Sequence, residues 1–355
     1  MKIAQVAPIT ESVPPKLYGG TERIVSFLTE ELVRRGHDVT LFASGDSQTK
    51  ARLCSYPDKA WRIQPCCSDV LAVQILQLER VFRELDLYDI VHFHTDYLQF
   101  PFLRRLPVNH VTTLHGRLDL PEHTMIFNEY REAPVVSISN NQRKALPMAN
   151  WQKTVYNGID DSLLNFNPES GCYLAFLGRI TADKGVVEAI EIAMRSGVEL
   201  KIAAKVDPTD QAYFHEKVLP LLDHPLINFI GEINEIEKSD FLGNAAALLF
   251  PIKWPEPFGL VMIEALACGT PVVAFNRGSV PEILQNFVTG FIVNSIEEAI
   301  ASVGRLHLIS RYQCRDVFER RFRATAMTDE YLDVYHQLIS SHDGACNAGT
   351  SPTKY

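Results

Sequence analysis

The sequence predicts an α/β protein of two domains, each built on a parallel sheet covered on both faces, and three observations carry that prediction. Short apolar runs rich in β-branched residues alternate with helical patterns from end to end, as in parallel strands covered on both faces. At 355 residues the chain exceeds the usual size of one hydrophobic core. A faint repeat also relates its halves. L-V-R-R-G-H-D-V-T-L at 32–41 and A-M-R-S-G-V-E-L-K-I at 193–202 each read as a helix end, a stopping glycine and a strand. Each follows a glycine-bearing turn, Gly19-Gly20-Thr21 in one half and Gly178-Arg179-Ile180 in the other.

Taken in order, strands are expected at 2–7, 38–43, 89–94, 110–114, 134–138 and 154–156 for the first sheet. A second series is expected at 173–177, 200–204, 227–230, 247–250, 271–274 and 291–293. The polar stretch 160–171 lies between them, so the domains are expected at 1–162 and 163–325. Helices at 311–324 and 329–339 have no strand after them, and the tail 342–355, rich in small and polar residues, reads as disordered.

Composition narrows the functions open to such a chain. It is 46% hydrophobic and 22% charged, enough apolar material for two cores, and its net charge of -9 argues against general nucleic-acid binding. Seven scattered cysteines, including Cys66 and Cys67, read as reduced thiols in a cytoplasmic protein. The start M-K-I-A-Q-V-A-P reads as a first strand rather than a signal peptide. No apolar run approaches the roughly 18 residues of a membrane span, so any membrane contact is expected to be peripheral.

The most informative stretch is W-P-E-P-F-G-L-V-M-I-E-A-L-A-C-G, Trp254 to Gly269. Pro255, Pro257 and Gly259 keep its first half out of a helix, while Leu260 to Cys268 is a helix-forming run stopped by Gly269. Glu256 therefore precedes the helix and Glu264 lies one turn inside it. The backbone N–H groups of Phe258, Gly259 and Leu260 stand between them at a helix N-terminus, which attracts anions and lone-pair oxygens. In F-L-G-R-I-T-A-D-K-G, Arg179 leaves a strand end and Lys184 enters the following helix, so both can converge on anionic oxygens. The bland alternative is a solvated lysine and an arginine paired with Asp183.

Other motifs are weaker. Gly19 and Gly20 let the backbone approach a ligand, and Thr21 is the expected N-cap of a helix whose core face is Ile24, Val25, Leu28 and Leu32. His115 in T-T-L-H-G stands at a strand end, where a side chain can reach a ligand. His92, His94 and Asp96 in V-H-F-H-T-D have metal-ligand spacing, but the histidine that a metal hydrolase wants next is Tyr97. These residues are expected to face the crevice at the carboxyl edge of the sheet instead. The four arginines and two phenylalanines of 315–323 read as a solvated helix face.

Together, G-G-T-E, T-L-H-G, Y-N-G-I-D, G-R-I-T-A-D-K-G and E-P-F-G-L-V-M-I-E-A-L-A-C-G-T-P-V-V-A resemble the family 4 retaining glycosyltransferases of the GT-B fold, over nearly the whole chain. The resemblance implies two Rossmann-like domains facing a central cleft, with a C-terminal helix, about 326–341, crossing back to the first domain. It implies transfer of a hexose from a nucleotide sugar, such as UDP-glucose, to a small or lipid-linked acceptor. Glu264 would hold the ribose hydroxyls and Glu256 the donor sugar, with Pro257 in the same turn. Phe258, Gly259 and Leu260 would offer amides to sugar and phosphate. Arg179 and Lys184 would hold the diphosphate, with Gly19 and Gly20 at its far side, and His115 would approach the sugar. The base would lie near Gly231, in the segment 230–232. No cofactor or metal is implied, since no Asp-x-Asp element stands ready to hold one. Acceptor loops are expected at 11–18, 46–67 and 118–130. The rivals are a non-catalytic sugar-nucleotide-binding protein and a metal-dependent hydrolase using His92, His94 and Asp96.

Overall fold

A computed structural model describes residues 1–63, 69–169 and 171–348, with side chains to 341. Cys66 and Cys67, the end of the expected acceptor loop 46–67, and residues 349–355 of the expected tail lie outside the described residues. The chain divides into two compact units. The first comprises Met1–Ile138, Arg143–Gly158 and the C-terminal segment from Ala324; the second comprises Ser139–Gln142 and Ile159–Arg323.

The sheet of the first unit holds β1 (Lys2–Val6), β2 (Asp38–Ala43), β3 (Arg52–Ser55), β4 (Ile90–Phe93), β5 (His110–Leu114), β6 (Pro134–Ser137) and β7 (Asn150–Thr154). Its order is β3-β2-β1-β4-β5-β6-β7, and every pairing is parallel. The central strands are the apolar runs that the sequence announces, and β4 is buried throughout. The two edges are where the expectation fails. β3 was not anticipated, and β7 lies at 150–154 rather than 154–156. Both are polar and partly exposed, R-L-C-S and N-W-Q-K-T, because an edge strand pairs on one side only and need not be apolar.

The helix Gly20–Arg34 buries Ile24, Val25, Leu28 and Leu32, as its periodicity requires. Its N-cap is Gly19, at φ 155° with no side-chain cap, so Thr21 lies inside the first turn rather than before it. Glycine sets the start because a Cβ there would run into Pro15. The helix Ala324–Ala348 belongs to this unit and runs past position 342, where the sequence places the start of a disordered tail. Its Tyr331 and Tyr335 are fully buried.

The second sheet holds β8 (Tyr173–Arg179), β9 (Leu200–Lys205), β10 (Ile227–Gly231), β11 (Ala245–Phe250), β12 (Val272–Phe275) and β13 (Gly290–Val293). Its order is β10-β9-β8-β11-β12-β13, again parallel throughout. Strand order reverses between β8 and β11. The loops that leave their carboxyl ends border the crevice in which doubly wound sheets bind ligands.

A buried cation ties this unit together. Arg311, at the start of the helix Arg311–Arg321, is only 7% exposed. It donates to the carbonyls of Asn167 (2.7 Å), Gly243 (2.6 Å), Ala245 (2.9 Å) and Cys268 (3.4 Å) and to Thr270 Oγ1 (2.8 Å). One guanidinium thus joins the incoming linker, the start of β11 and the end of the helix Leu260–Ala267. The same helix departs from its expected solvated face: Phe318 and Phe322 are buried, and Arg315 donates to Ala267 O at 2.7 Å. Replacing Arg311 with methionine removes the donors and leaves buried carbonyls unpaired, a loss of about 3 kcal/mol. Urea unfolding of the variant reads this directly, and a loss below about 1 kcal/mol would show that Arg311 does not hold the unit together.

Candidate active site

Three elements of the second unit meet where its strand order reverses. β8 ends at Arg179, and the chain then makes a 3-10 turn, Ala182–Lys184, before the helix Val186–Ser196. Lys184 therefore closes a turn ahead of the helix rather than entering it. The reason is Gly185, at φ 76°, whose missing Cβ makes room for the carbonyl of Pro251 just beyond β11. That close approach brings the two loops together. Lys184 Nζ lies 2.5 Å from Glu256 Oε2 and 5.4 Å from the centroid of the Trp254 ring. Both members of the ion pair keep some solvent access, at 20% and 12% of their side chains. Arg179 is bonded to Asp207 at 3.4 Å. Burial would raise the Asp207 carboxyl, but Lys205 at 3.1 Å and Arg179 hold it below its ordinary range.

The turn carrying Glu256 is clamped from outside. Ser279 N donates to Glu256 O (3.0 Å) and Ser279 Oγ to Phe258 O (2.7 Å). Gly278, at φ 55°, passes so close to the backbone of Glu256 that any Cβ would collide with it. The helix Leu260–Ala267 then begins at Gly259, and the N–H groups of Gly259 and Leu260 meet no acceptor among the described residues. Those are the orphan donors that a helix start leaves for a ligand. Pro257 is buried in the same turn, and Phe258 packs edge-on against Phe322 with ring centroids 6.2 Å apart. Glu264 is 5% exposed, and its Oε1 accepts from Lys238 Nζ at 2.7 Å. Lys238 also pairs with Glu235, on its own helix Glu235–Gly243. Gly231 ends β10 at φ 79° beside the half-exposed Ile230.

In the first unit, His92 and His94 do not face a crevice. They are 0% and 3% exposed and lie in a buried polar array. His92 joins Tyr335 OH through Nδ1 and Thr113 Oγ1 through Nε2, both at 2.7 Å. His94 joins Gln5 Oε1 through Nε2 (2.9 Å) and His115 Nε2 through Nδ1 (2.8 Å). All four ring nitrogens are thus engaged by protein, and the Asp96 carboxylate sits apart on an exposed turn at φ 54°. The spacing that suggests a metal site serves a hydrogen-bonded array, and the described residues contain no cluster able to hold a metal ion. Burial pushes His92 and His94 well below the ordinary imidazole range and His115 down to about 3, so the array is neutral.

The same residues can be set against known proteins. Residues 18–163 match the model of Glycosyltransferase Family 4, and residues 165–311 match that of Glycosyl transferases group 1. The chain belongs to the group 1, family 4 glycosyltransferases. An uncharacterized glycosyltransferase of Methanocaldococcus jannaschii is 24% identical, over 93% of this chain and 97% of the relative. Among solved structures, sucrose-phosphate synthase of Thermosynechococcus elongatus superposes with a TM-score of 0.80 at 17% identity, covering 96% of this chain and all of that one. HepE of Anabaena, in complex with UDP and glucose, gives 0.71 at 19% identity, covering 95% of this chain and all of that one. The fold is GT-B.

The sequence names Lys184, Glu256 and Glu264 as candidates, and the structure shows what holds them. Lys238 was missed because a lysine three residues after Glu235 reads as a surface pair; only the buried contact with Glu264 shows otherwise. Gly278 and Ser279 carried a faint signal, a glycine-serine step before a short helix. Gln5 and Tyr335 carried none, since their roles need β1, β4 and a helix distant in sequence to meet. No helix among the described residues is long and apolar enough to cross a membrane. Buried neutral imidazoles also make the glycosyltransferase sensitive to acid. The folded pKa values of His92 and His94 lie below the unfolded value of about 6.5, so the unfolded chain binds more protons at low pH. Their contribution is complete above about pH 6.5 and is lost as pH falls below it. Urea midpoints measured from pH 8 to 5 are expected to stay level above pH 7 and to fall below 6.5; a rise on acidification would show that these imidazoles are charged in the fold.

Proposed function

We propose that this glycosyltransferase is a retaining hexosyltransferase that takes a sugar from a nucleoside-diphosphate donor, UDP-glucose being the first to test, and passes it to a hydroxyl of a small or lipid-linked acceptor. The observation that carries the reading is the meeting of Lys184 with Glu256 at the point where the second sheet reverses, with Arg179 one loop away. A cation, a carboxylate and orphan amides side by side suit a ligand that has a charged diphosphate next to a polyhydroxylated ring.

In this reading Lys184 and Arg179 take the diphosphate, and Gly19 and Gly20 of the first unit allow the backbone to approach it. Glu256 accepts from sugar hydroxyls, while Gly259 and Leu260 donate to sugar and phosphate oxygens. Glu264 keeps Oε1 on Lys238 and offers Oε2 to the ribose. The base rests by Gly231, and His115 serves the transferred sugar. The bond from the anomeric carbon to the β-phosphate oxygen breaks first, leaving an oxocarbenium-like sugar and an anion. Cations and N–H donors aimed at that anion lower the barrier. The acceptor oxygen then bonds to the same face of the sugar, and its proton goes to the departing phosphate, so configuration is retained. The two cations already supply the charge that a divalent ion would bring, and we assign no metal. Cys54, Cys172, Cys268 and Cys314 are free thiols, which suits a cytoplasmic site of action.

A thermal-shift panel of UDP-, GDP- and ADP-sugars tests the donor. At one hundred times its dissociation constant the correct nucleotide sugar stabilises by about 2.7 kcal/mol, and no response to any of them would contradict the reading. Lys184→Ala is expected to lower kcat by a hundredfold to a thousandfold, about 2.7 to 4 kcal/mol, with the fold intact. Glu264→Ala mainly weakens donor binding, whereas Glu256→Ala lowers turnover as well. Equal kinetic effects from the two glutamates, or donor binding without any release of nucleoside diphosphate, would remove the division of roles.

A further inference from the structure

The polar array that leads from the C-terminal helix to His115 has a direction. A neutral imidazole has one N–H donor and one lone-pair acceptor, and a carboxamide has one donor end and one acceptor end. Gln5, on β1, turns Nε2 toward Tyr335 OH at 3.0 Å and Oε1 toward His94 Nε2 at 2.9 Å. A carbonyl oxygen only accepts, so His94 carries its hydrogen on Nε2. His94 Nδ1 is then an acceptor, and the atom facing it at 2.8 Å, His115 Nε2, must donate. That leaves a lone pair on His115 Nδ1, which no hydrogen bond among the described residues engages.

On the other arm the Tyr335 hydroxyl, having accepted from Gln5, has its own hydrogen to offer His92 Nδ1; His92 Nε2 lies 2.7 Å from Thr113 Oγ1, which shares a hydrogen with Tyr331 OH at 3.0 Å. Tyr335 and Thr113 are hydroxyls, which donate once and can accept more than once, so it is the run Gln5–His94–His115, built of groups with fixed donor and acceptor ends, that can turn round only as a whole. The neutrality of the three imidazoles keeps the chain of single donors and single acceptors intact. Register supports the arrangement, since Gln5 and His92 are direct partners across β1 and β4.

We propose that Gln5, His94 and Tyr335 are positioning residues that hold His115 as its Nε2–H tautomer, so that the Nδ1 lone pair accepts a hydrogen bond from a hydroxyl of the transferred sugar. The second half of this statement rests on the role given to His115 under the proposed function; the first half does not. A side chain that can only accept at Nδ1 selects a hydroxyl and turns away an oxyanion. It would therefore contribute to orienting the sugar rather than to holding the phosphate.

Long-range 1H–15N correlation spectra of the unliganded full chain, labelled with 15N-histidine, read the tautomer directly at pH 7.5. His115 is expected as Nε2–H, and an Nδ1–H form or an even mixture overturns the proposal without any variant being made. Gln5→Met and Tyr335→Phe are expected to yield mixed tautomers and to lower kcat roughly tenfold to a hundredfold, with the affinity for UDP unchanged. Gln5→Glu keeps the Nε2–H form, because a carboxylate also only accepts. A pure Nε2–H signal in Gln5→Met and Tyr335→Phe, or mixed tautomers with wild-type kcat where His115→Ala is impaired, overturns the positioning role. Wild-type kcat in His115→Ala would instead overturn the reading of His115 itself, leaving the tautomer measurement to stand on its own.

Discussion

The ion pair between Lys184 and Glu256 is the contact on which the proposed donor site depends, because it joins the side chains of two loops whose backbones already meet through Lys253 N and Asp183 O. One loop follows β8 and the other follows β11, and they are 72 residues apart in sequence. Two glycines make the meeting geometrically feasible. Gly185 lets the first loop pass the carbonyl of Pro251, and Gly278 lets a third segment lie against the backbone of Glu256. Without a ligand, the carboxylate is the partner of the ammonium. A diphosphate arriving at Lys184 would compete for that cation and release Glu256 toward sugar hydroxyls. In the proposed function the pair would hold one charge beside the other until the substrate supplied a better arrangement.

Glu264 shows the same economy one turn further on. Its Oε1 is tied to Lys238, which leaves the carboxylate oriented and partly neutralised in a position with only 5% exposure. A buried carboxylate without such a partner would bear the full cost of desolvation. Arg311 acts at larger scale, gathering carbonyls from the linker, from β11 and from the end of the Glu264 helix. The helix that carries Glu264 is therefore anchored at its far end by one cation and at its middle by another. In the first unit, neutral groups do the corresponding work. His92, His94 and Tyr335 lie in one hydrogen-bonded array with the carboxamide of Gln5 on β1.

How much of this was legible in the sequence follows from what each feature needs. The parallel strands at the centres of both sheets were legible because burial on two faces demands apolar runs, as in A-A-A-L-L-F of β11. The polar edges β3 and β7 were not, because pairing on one side leaves composition free. The spacing of Glu256, Glu264, Arg179 and Lys184 around turns singled them out as candidates; the structure brings Lys184 to Glu256 but sets Arg179 on Asp207 and Glu264 on Lys238, and the 3-10 turn ahead of Gly185 moves Lys184 out of the helix expected for it. V-H-F-H-T-D was misread in direction. Alternation along a strand says that two histidines share a face, but not whether that face meets solvent or a helix from the far end of the chain. Tyr331 and Tyr335 decide it, and they lie more than two hundred residues away from the motif's partners.

In the proposed function Lys184 and Glu256 act on the donor as one unit. A double-mutant cycle measures this most directly, with kcat/KM determined for wild type, Lys184→Met, Glu256→Gln and the double variant with the donor that binds. Strong non-additivity is expected, with a coupling of at least about 1 kcal/mol, as for charged neighbours that share a ligand. Losses that simply add would contradict it, for they would mean that the two side chains serve the donor independently and that their contact is incidental.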